Sequence, residues 1–254
     1  MKKILILLGI FLILPLYSLE VETANLKDFI YGTTESTAYD NWISHVIEGD
    51  GHSDYIYAPF DEQSTDFGEY QVPTEQQEIA WTSITNYFIA GLYEAVNEVI
   101  TFNNFPYEIV QFNDLETGKE LMMLRETIDT TFVDTNDNGF VEQGAFHFGW
   151  GTFIVDVNSS SNKIINVVHP SDDFIVPVIA TRAFLEGDFK WLLLNGASRG
   201  ALMNGTISVS DPSREYFHPF NEIYSKVCQQ INQNNQYQVH SIQLHSYDFN
   251  TNNN

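Results

Sequence analysis

Residues 164–199 read IINVVHPSDDFIVPVIATRAFLEGDFKWLLLNGASR, and no other stretch constrains the fold as tightly. The apolar, β-branched run 164–168 predicts a strand that stops at His169-Pro170. Pro177 falls where the first turn of a helix accepts proline, residues 178–185 continue in helical style, and Gly187-Asp188 closes the helix. Residues 191–194 form a second wholly apolar run that leads into Asn195-Gly196-Ala197-Ser198-Arg199. A strand-loop-helix-strand unit with polar residues just past each strand is the way open α/β sheets build sites at the carboxyl ends of strands. A third instance follows at 241–244, which runs into His245. Three strands would then deliver His169, Arg199 and His245 to one sheet edge. The expected fold class is α/β, with a mixed, largely parallel central sheet, flanking helices and a single domain.

A chain of 254 residues is long enough to bury a full α/β core. Met1-Lys2-Lys3 followed by the apolar run 4–16 has the charged start and short hydrophobic centre of a secretory leader, so residues 1–18 are expected to be removed and the remainder exported, to the periplasm or beyond. That run is short for a membrane span and no later one is long enough, so no stable span is expected after leader removal. With 34 acidic residues against 11 basic ones, a net charge of -23 disfavours nucleic acid and anionic membranes as partners. Cys228 is the only cysteine, which excludes a disulfide framework and multi-cysteine zinc sites.

Residues 19–73 lack sustained periodicity and read as an irregular, aromatic cover, with one short helix at Trp42, Ile43, Val46 and Ile47. Residues 74–249 hold the α/β domain, and 250–254 an Asn-rich tail. A capping box at Thr74 and Gln77 starts a helix predicted to run to residue 100, in which Gly91 suggests a close helix-sheet approach. Strands are expected over 107–112, 121–125, 152–157 and 206–209, with a hairpin across residues 158–162 joining 152–157 to 164–168. A last helix starts near Pro219 and carries Phe220, Ile223, Tyr224, Val227 and Ile231 on one face. Asp134, Asn136 and Asn138 followed by Gly139 match the first half of a calcium loop, although its twelfth position is Ala145. Structural calcium and a plain Asx-rich turn are both open there.

His169, Asp172 or Asp173, and His245 suit a catalytic zinc site with three protein ligands and one open position. Arg199 could grip a substrate carboxylate in a fork of two hydrogen bonds. The competing reading is that each of these residues closes a turn. Gly196-Ala197-Ser198-Arg199-Gly200 also matches G-x-S-x-G after a strand, with Ser198 as nucleophile and Asp211 plus His240 or His245 completing a triad. His218, just before the Pro219 helix, suits a helix cap or a group supporting the site, and Glu215 a general base beside it. His147, set among Phe146, Phe148 and Trp150, reads as a packed aromatic-cluster histidine, while His45 and His52 carry no pattern. A non-catalytic exported binding protein is the third possibility.

Gly149-Trp150-Gly151-Thr152 before a strand, His169-Pro170 with Asp173 four residues after the histidine, Ser210-Asp211-Pro212, and Gln243-Leu244-His245-Ser246 together resemble a group of poorly characterised bacterial proteins. Those proteins look distantly similar to the N-formylglutamate amidohydrolase and zinc-carboxypeptidase type of α/β fold. The likeness covers about residues 120–249. It implies a metal-dependent hydrolase of an amide, peptide or related acyl bond, acting on a small molecule or peptide. The chain departs from the pattern at Ser198, where the pattern has histidine, and at Val176, where it has threonine.

Overall fold

The structure, a computed structural model, describes residues 19–31, 42–47, 70–127, 146–173, 175–204, 207–214, 217–234 and 238–245. Residues 1–18, expected as a leader, the expected calcium loop at Asp134, Asn136 and Asn138, His52 and Glu215 lie outside the described residues. In chain order the elements are β1 (Glu20–Ala24), α1 (Leu26–Tyr31), a 3-10 helix (Trp42–His45), α2 (Glu75–Ile89), α3 (Tyr93–Asn103), β2 (Tyr107–Asp114), β3 (Glu120–Glu126), β4 (Thr152–Asp156), β5 (Lys163–Val167), α4 (Val176–Glu186), β6 (Trp191–Leu194), β7 (Met203–Asn204), β8 (Ile207–Ser208), α5 (Pro219–Asn234) and β9 (His240–Gln243).

Seven strands make one mixed sheet in the order β1-β2-β3-β4-β6-β5-β9, with β7 and β8 as a separate small hairpin. Pairing is parallel between β1 and β2, β5 and β6, and β5 and β9. It is antiparallel from β2 through β3 and β4 to β6. The α/β class, the flanking helices and the single domain are those expected from the sequence.

The expected hairpin between β4 and β5 does not form. β6, four consecutive apolar residues at no more than 1% exposure, takes the place between them. A run without a polar face has to be covered on both faces, which the middle of the sheet provides. The turn after β4 is real: Asp156 Oδ1 accepts the N–H groups of Asn158 and Ser159 at 3.1 Å each. The chain it turns enters β5 one strand further out. The segment expected as an irregular cover also contributes β1, which extends the sheet beyond β2, and α1. Asp114 ties that corner together: Oδ1 accepts Leu26 N–H at 2.8 Å, and Oδ2 accepts the N–H and hydroxyl of Thr117 in the β2–β3 turn.

Alternation along the strands sorts the core into two layers. On one face Phe153 packs on Trp81 and Phe220, and Trp191 on Phe88, so α2 and α5 cover that side. On the other, Phe112 packs on Phe29 of α1, and Lys119 lies over Phe184 of α4. β5 leads through α4 to β6, and β6 leads back through α5 to β9 on the far side of β5. The connections leaving β5 and β6 therefore diverge to opposite faces, which makes their carboxyl ends a topological switch point of the kind where open α/β sheets bind ligands. Among the described residues no helix is long and apolar enough to cross a membrane.

The helix predicted over 74–100 is two helices. The capping box at Thr74 and Gln77 forms as expected. After Ile89 the chain turns through Gly91 at φ +74°, with Gly91 N–H on Phe88 O and Leu92 N–H on Tyr87 O. This double bond pattern is a Schellman stop. A Cβ at Gly91 would meet nothing within 4 Å, so this glycine serves the turn and not a close approach. Gly151, at φ +111°, is the reverse case: its Cβ would lie 2.3 Å from Leu194 O. Gly151→Ala should lower the unfolding free energy by at least about 2 kcal/mol, while Gly91→Ala costs about 1 kcal/mol of strain alone. Urea midpoints of the two variants check the order.

Candidate metal centre

The His169-Pro170-Ser171-Asp172-Asp173 segment folds into a turn, closed by Asp173 N–H on His169 O at 2.9 Å, and leads to α4. Ile175, just before α4, sits at φ +63°. A β-branched residue there stores about 1–3 kcal/mol of strain, of the kind concentrated at sites. Asn195, fully buried after β6, staples the ends of β5 and β6: its side-chain amide donates to Val168 O at 3.0 Å and to Ala197 O at 2.9 Å. β9 runs parallel beside β5 and brings His245 to the same edge.

These elements bring His169, Asp173 and His245 together, with one ligand atom from each lying within 4.8 Å of the others. The imidazole centres of His169 and His245 are 5.3 Å apart. Asp173 Oδ2 stands 2.9 Å from His245 Nδ1 and 3.7 Å from His169 Nδ1. The second distance exceeds hydrogen-bond range. Among the described residues His169 Nδ1 is accordingly buried without a hydrogen-bond partner, while Nε2 lies 3.0 Å from Asp211 Oδ1. Two nitrogens and a carboxylate oxygen at these separations are a donor set that can hold a metal ion.

Asp172 has a different task, and Asp173 alone stands between the imidazoles. Asp172 Oδ1 accepts the Ser198 hydroxyl at 3.1 Å and Oδ2 accepts Arg199 N–H at 2.9 Å. Ser198 is fully buried and its oxygen accepts Gly200 N–H at 3.1 Å. Among the described residues no imidazole hydrogen-bonds Ser198, and the G-x-S-x-G match forms a side-chain-closed turn. The Arg199 guanidinium lies 3.4 Å from Asp172 and 3.8 Å from Asp173, and its side chain is 48% exposed. His240 is exposed along β9 and His147 is exposed as well, whereas His45 packs on Phe146.

The electrostatics are lopsided. The side chains of Asp172, Asp173 and Asp211 are only 4–5% exposed, while the nearby Arg199 and Arg214 are 48% and 64% exposed. Burial opposes ionisation of Asp173 and Asp211, but their bonds to the imidazoles and, for Asp211, to Ser213 N–H keep both below the usual carboxylate range. Burial likewise works against a charged His169, and Asp173 and Asp211 outweigh it and raise its pKa. Buried carboxylates of this kind need cations close by. His218 is a helix cap: Nδ1 accepts Phe220 N–H in the first turn of α5, and Nε2–H donates to Ser210 O, each at 3.2 Å. Burial pushes its pKa down to about 4, so it is neutral at pH 7.

One buried group at this edge escaped the sequence reading. Glu126, the last residue of β3, accepts N–H groups from Phe148, Gly149 and Trp150, and thereby fixes the segment entering β4. Its only sequence signal is a carboxylate closing an apolar strand. The Tyr107 hydroxyl lies 3.2 Å from Glu126 Oε2 and 3.1 Å from Gly151 O. Burial raises the Glu126 pKa from 4.5 to about 7, against the pull of the backbone donors. The folded chain thus holds this proton where the unfolded chain has lost it, so stability falls as pH rises from about 4.5 to about 7. His218 contributes in the opposite sense between about 4 and 6.5. Comparing wild type with Glu126→Gln isolates the first effect. Between about pH 4 and about pH 8 their difference in unfolding free energy should move by about 3 kcal/mol against the wild type. Urea titrations at the two pH values check this, and a constant difference contradicts it.

A comparison with protein-family models, curated proteins and solved structures finds no match to the chain.

Proposed function

We propose that the chain is an exported zinc-dependent hydrolase of an amide, peptide or related acyl bond. The observation that carries the reading is the buried, unpartnered Nδ1 of His169, which faces Asp173 and His245 at one edge of the sheet. A buried imidazole nitrogen without a partner costs free energy unless something binds it. Two donors each about 2.1 Å from a tetrahedral zinc lie about 3.4 Å apart. The 3.7 Å between Asp173 Oδ2 and His169 Nδ1 is close to that value, and the 2.9 Å contact of Asp173 with His245 Nδ1 is a hydrogen bond that zinc would replace. Three protein ligands would leave a fourth position for water or substrate, as in catalytic rather than structural zinc sites. Zinc bound there would polarise an acyl oxygen and lower the pKa of water toward neutrality.

The remaining chemistry falls to the chain's own groups. His169 and Asp173, both nearly buried, hold the inner wall of the site, and the half-exposed His245 holds its outer side. Arg199, anchored through its backbone N–H by Asp172, keeps a half-exposed guanidinium beside Asp173 to receive an anionic substrate group. Hydrolysis adds water across the acyl bond and releases an acid and an amine or alcohol. The leader at residues 1–18 supports export.

Elemental analysis of the purified mature chain should find about one zinc per molecule. His169→Ala and His245→Ala should both lose it, together with hydrolysis of amide and peptide test substrates, while keeping the wild-type circular dichroism. Wild-type protein that stays metal-free after incubation with zinc, or full turnover in either variant, overturns the reading.

A further inference from the structure

We propose that Asp211 is the positioning residue of this centre: by holding the Nε2–H of His169 it leaves Nδ1 as the atom offered to zinc. The inference rests on the zinc reading above and specifies which nitrogen binds and what sets that choice. An ionised carboxylate only accepts hydrogen bonds, so the 3.0 Å contact between His169 Nε2 and Asp211 Oδ1 puts the proton on Nε2. In the neutral ring the lone pair then sits on Nδ1, the buried atom with no hydrogen-bond partner among the described residues. Carboxylates behind metal-binding imidazoles fix ring orientation and raise ligand basicity in this way.

Asp211 is built to do this. It is 3% exposed, and Oδ1 also accepts Ser213 N–H at 2.8 Å, while Oδ2 lies 3.4 Å from Arg214 Nε. The residue before it is gripped from two sides. Ser210 Oγ donates to Ser198 O at 2.9 Å, and Ser210 O accepts from His218 Nε2 at 3.2 Å. The Ser198 turn and the start of α5 therefore jointly fix where the Asp211 carboxylate stands. Ser198 and His218 steady Asp211 through Ser210, and Asp211 acts on His169 in this arrangement.

The test uses the full mature chain with 15N-labelled histidine, titrated with zinc against a chromophoric chelator. In wild type, long-range proton–nitrogen spectra should show the zinc-loaded His169 imidazole keeping its proton on Nε2, assigned by following through the titration the zinc-free signal that His169→Ala lacks. Asp211→Asn removes the charge and can reverse the tautomer, so its zinc affinity should fall about 10–100-fold. Asp211→Glu, which retains the carboxylate, should recover part of that loss. Equal affinity in wild type and Asp211→Asn, or zinc on Nε2 of His169, overturns the inference and leaves the zinc reading standing. A wild-type chain that takes up no zinc overturns both. Should Asp211→Asn not fold, the wild-type spectrum decides alone.

Discussion

The placement of β6 controls the architecture. Its Trp-Leu-Leu-Leu run has no polar face, so it has to lie inside the sheet with strands on both sides and helices above and below. With β4 antiparallel on one flank and β5 parallel on the other, β6 marks the change from the antiparallel part of the sheet to the parallel part. The carboxyl ends of β5, β6 and β9 then share an edge with the end of β3 and the start of β4. Histidines, aspartates and the glycine-rich segment meet there because the strand directions leave no other arrangement. Gly151, pressed on the Leu194 carbonyl, shows how close the two halves of the sheet come.

The second constraint is electrical. Three aspartates are buried around two imidazoles in a chain that already carries a large acidic excess. The arginines nearby keep their charged ends in contact with solvent, which weakens their hold on a buried carboxylate. Each aspartate has a distinct assignment: Asp172 shapes the Ser198–Arg199 turn, Asp173 bridges the imidazoles, and Asp211 backs His169. Glu126 adds a fourth buried carboxyl at the same edge, and it escapes the charge cost by holding its proton to about pH 7.

Much of this was legible in the residues. Run 164–199 reads directly as strand, helix and strand because its apolar blocks are bounded by proline and glycine in positions with a single good interpretation. The gathering of His169, Asp172 or Asp173, and His245 at one sheet edge follows from strands that run parallel and end there. What stayed hidden was non-local. Asp172 and Asp173 are adjacent in sequence, and only the position of the Ser198 turn separates their roles. The apparent β4–β5 hairpin rested on a genuine turn at Asp156, yet pairing was decided by a strand more than thirty residues further on, whose burial no local pattern reports. Gly91 could be read as a packing glycine or a helix stop, and the choice depends on φ. β1 was missed because an edge strand with alternating Glu residues has little apolar signal.

β9 is solvent-exposed along its whole length and closes the sheet on one side, with Leu244 N–H on Asn166 O as its last tie before His245. A slip of one residue along β5 would turn every β9 side chain over and put Leu244 where His245 stands. An ion held between His169, Asp173 and His245 would therefore act as a rivet, fastening the last strand in a single register. Binding there would be coupled to folding of the carboxyl-terminal region, and the loaded protein would resist fraying at this exposed edge strand.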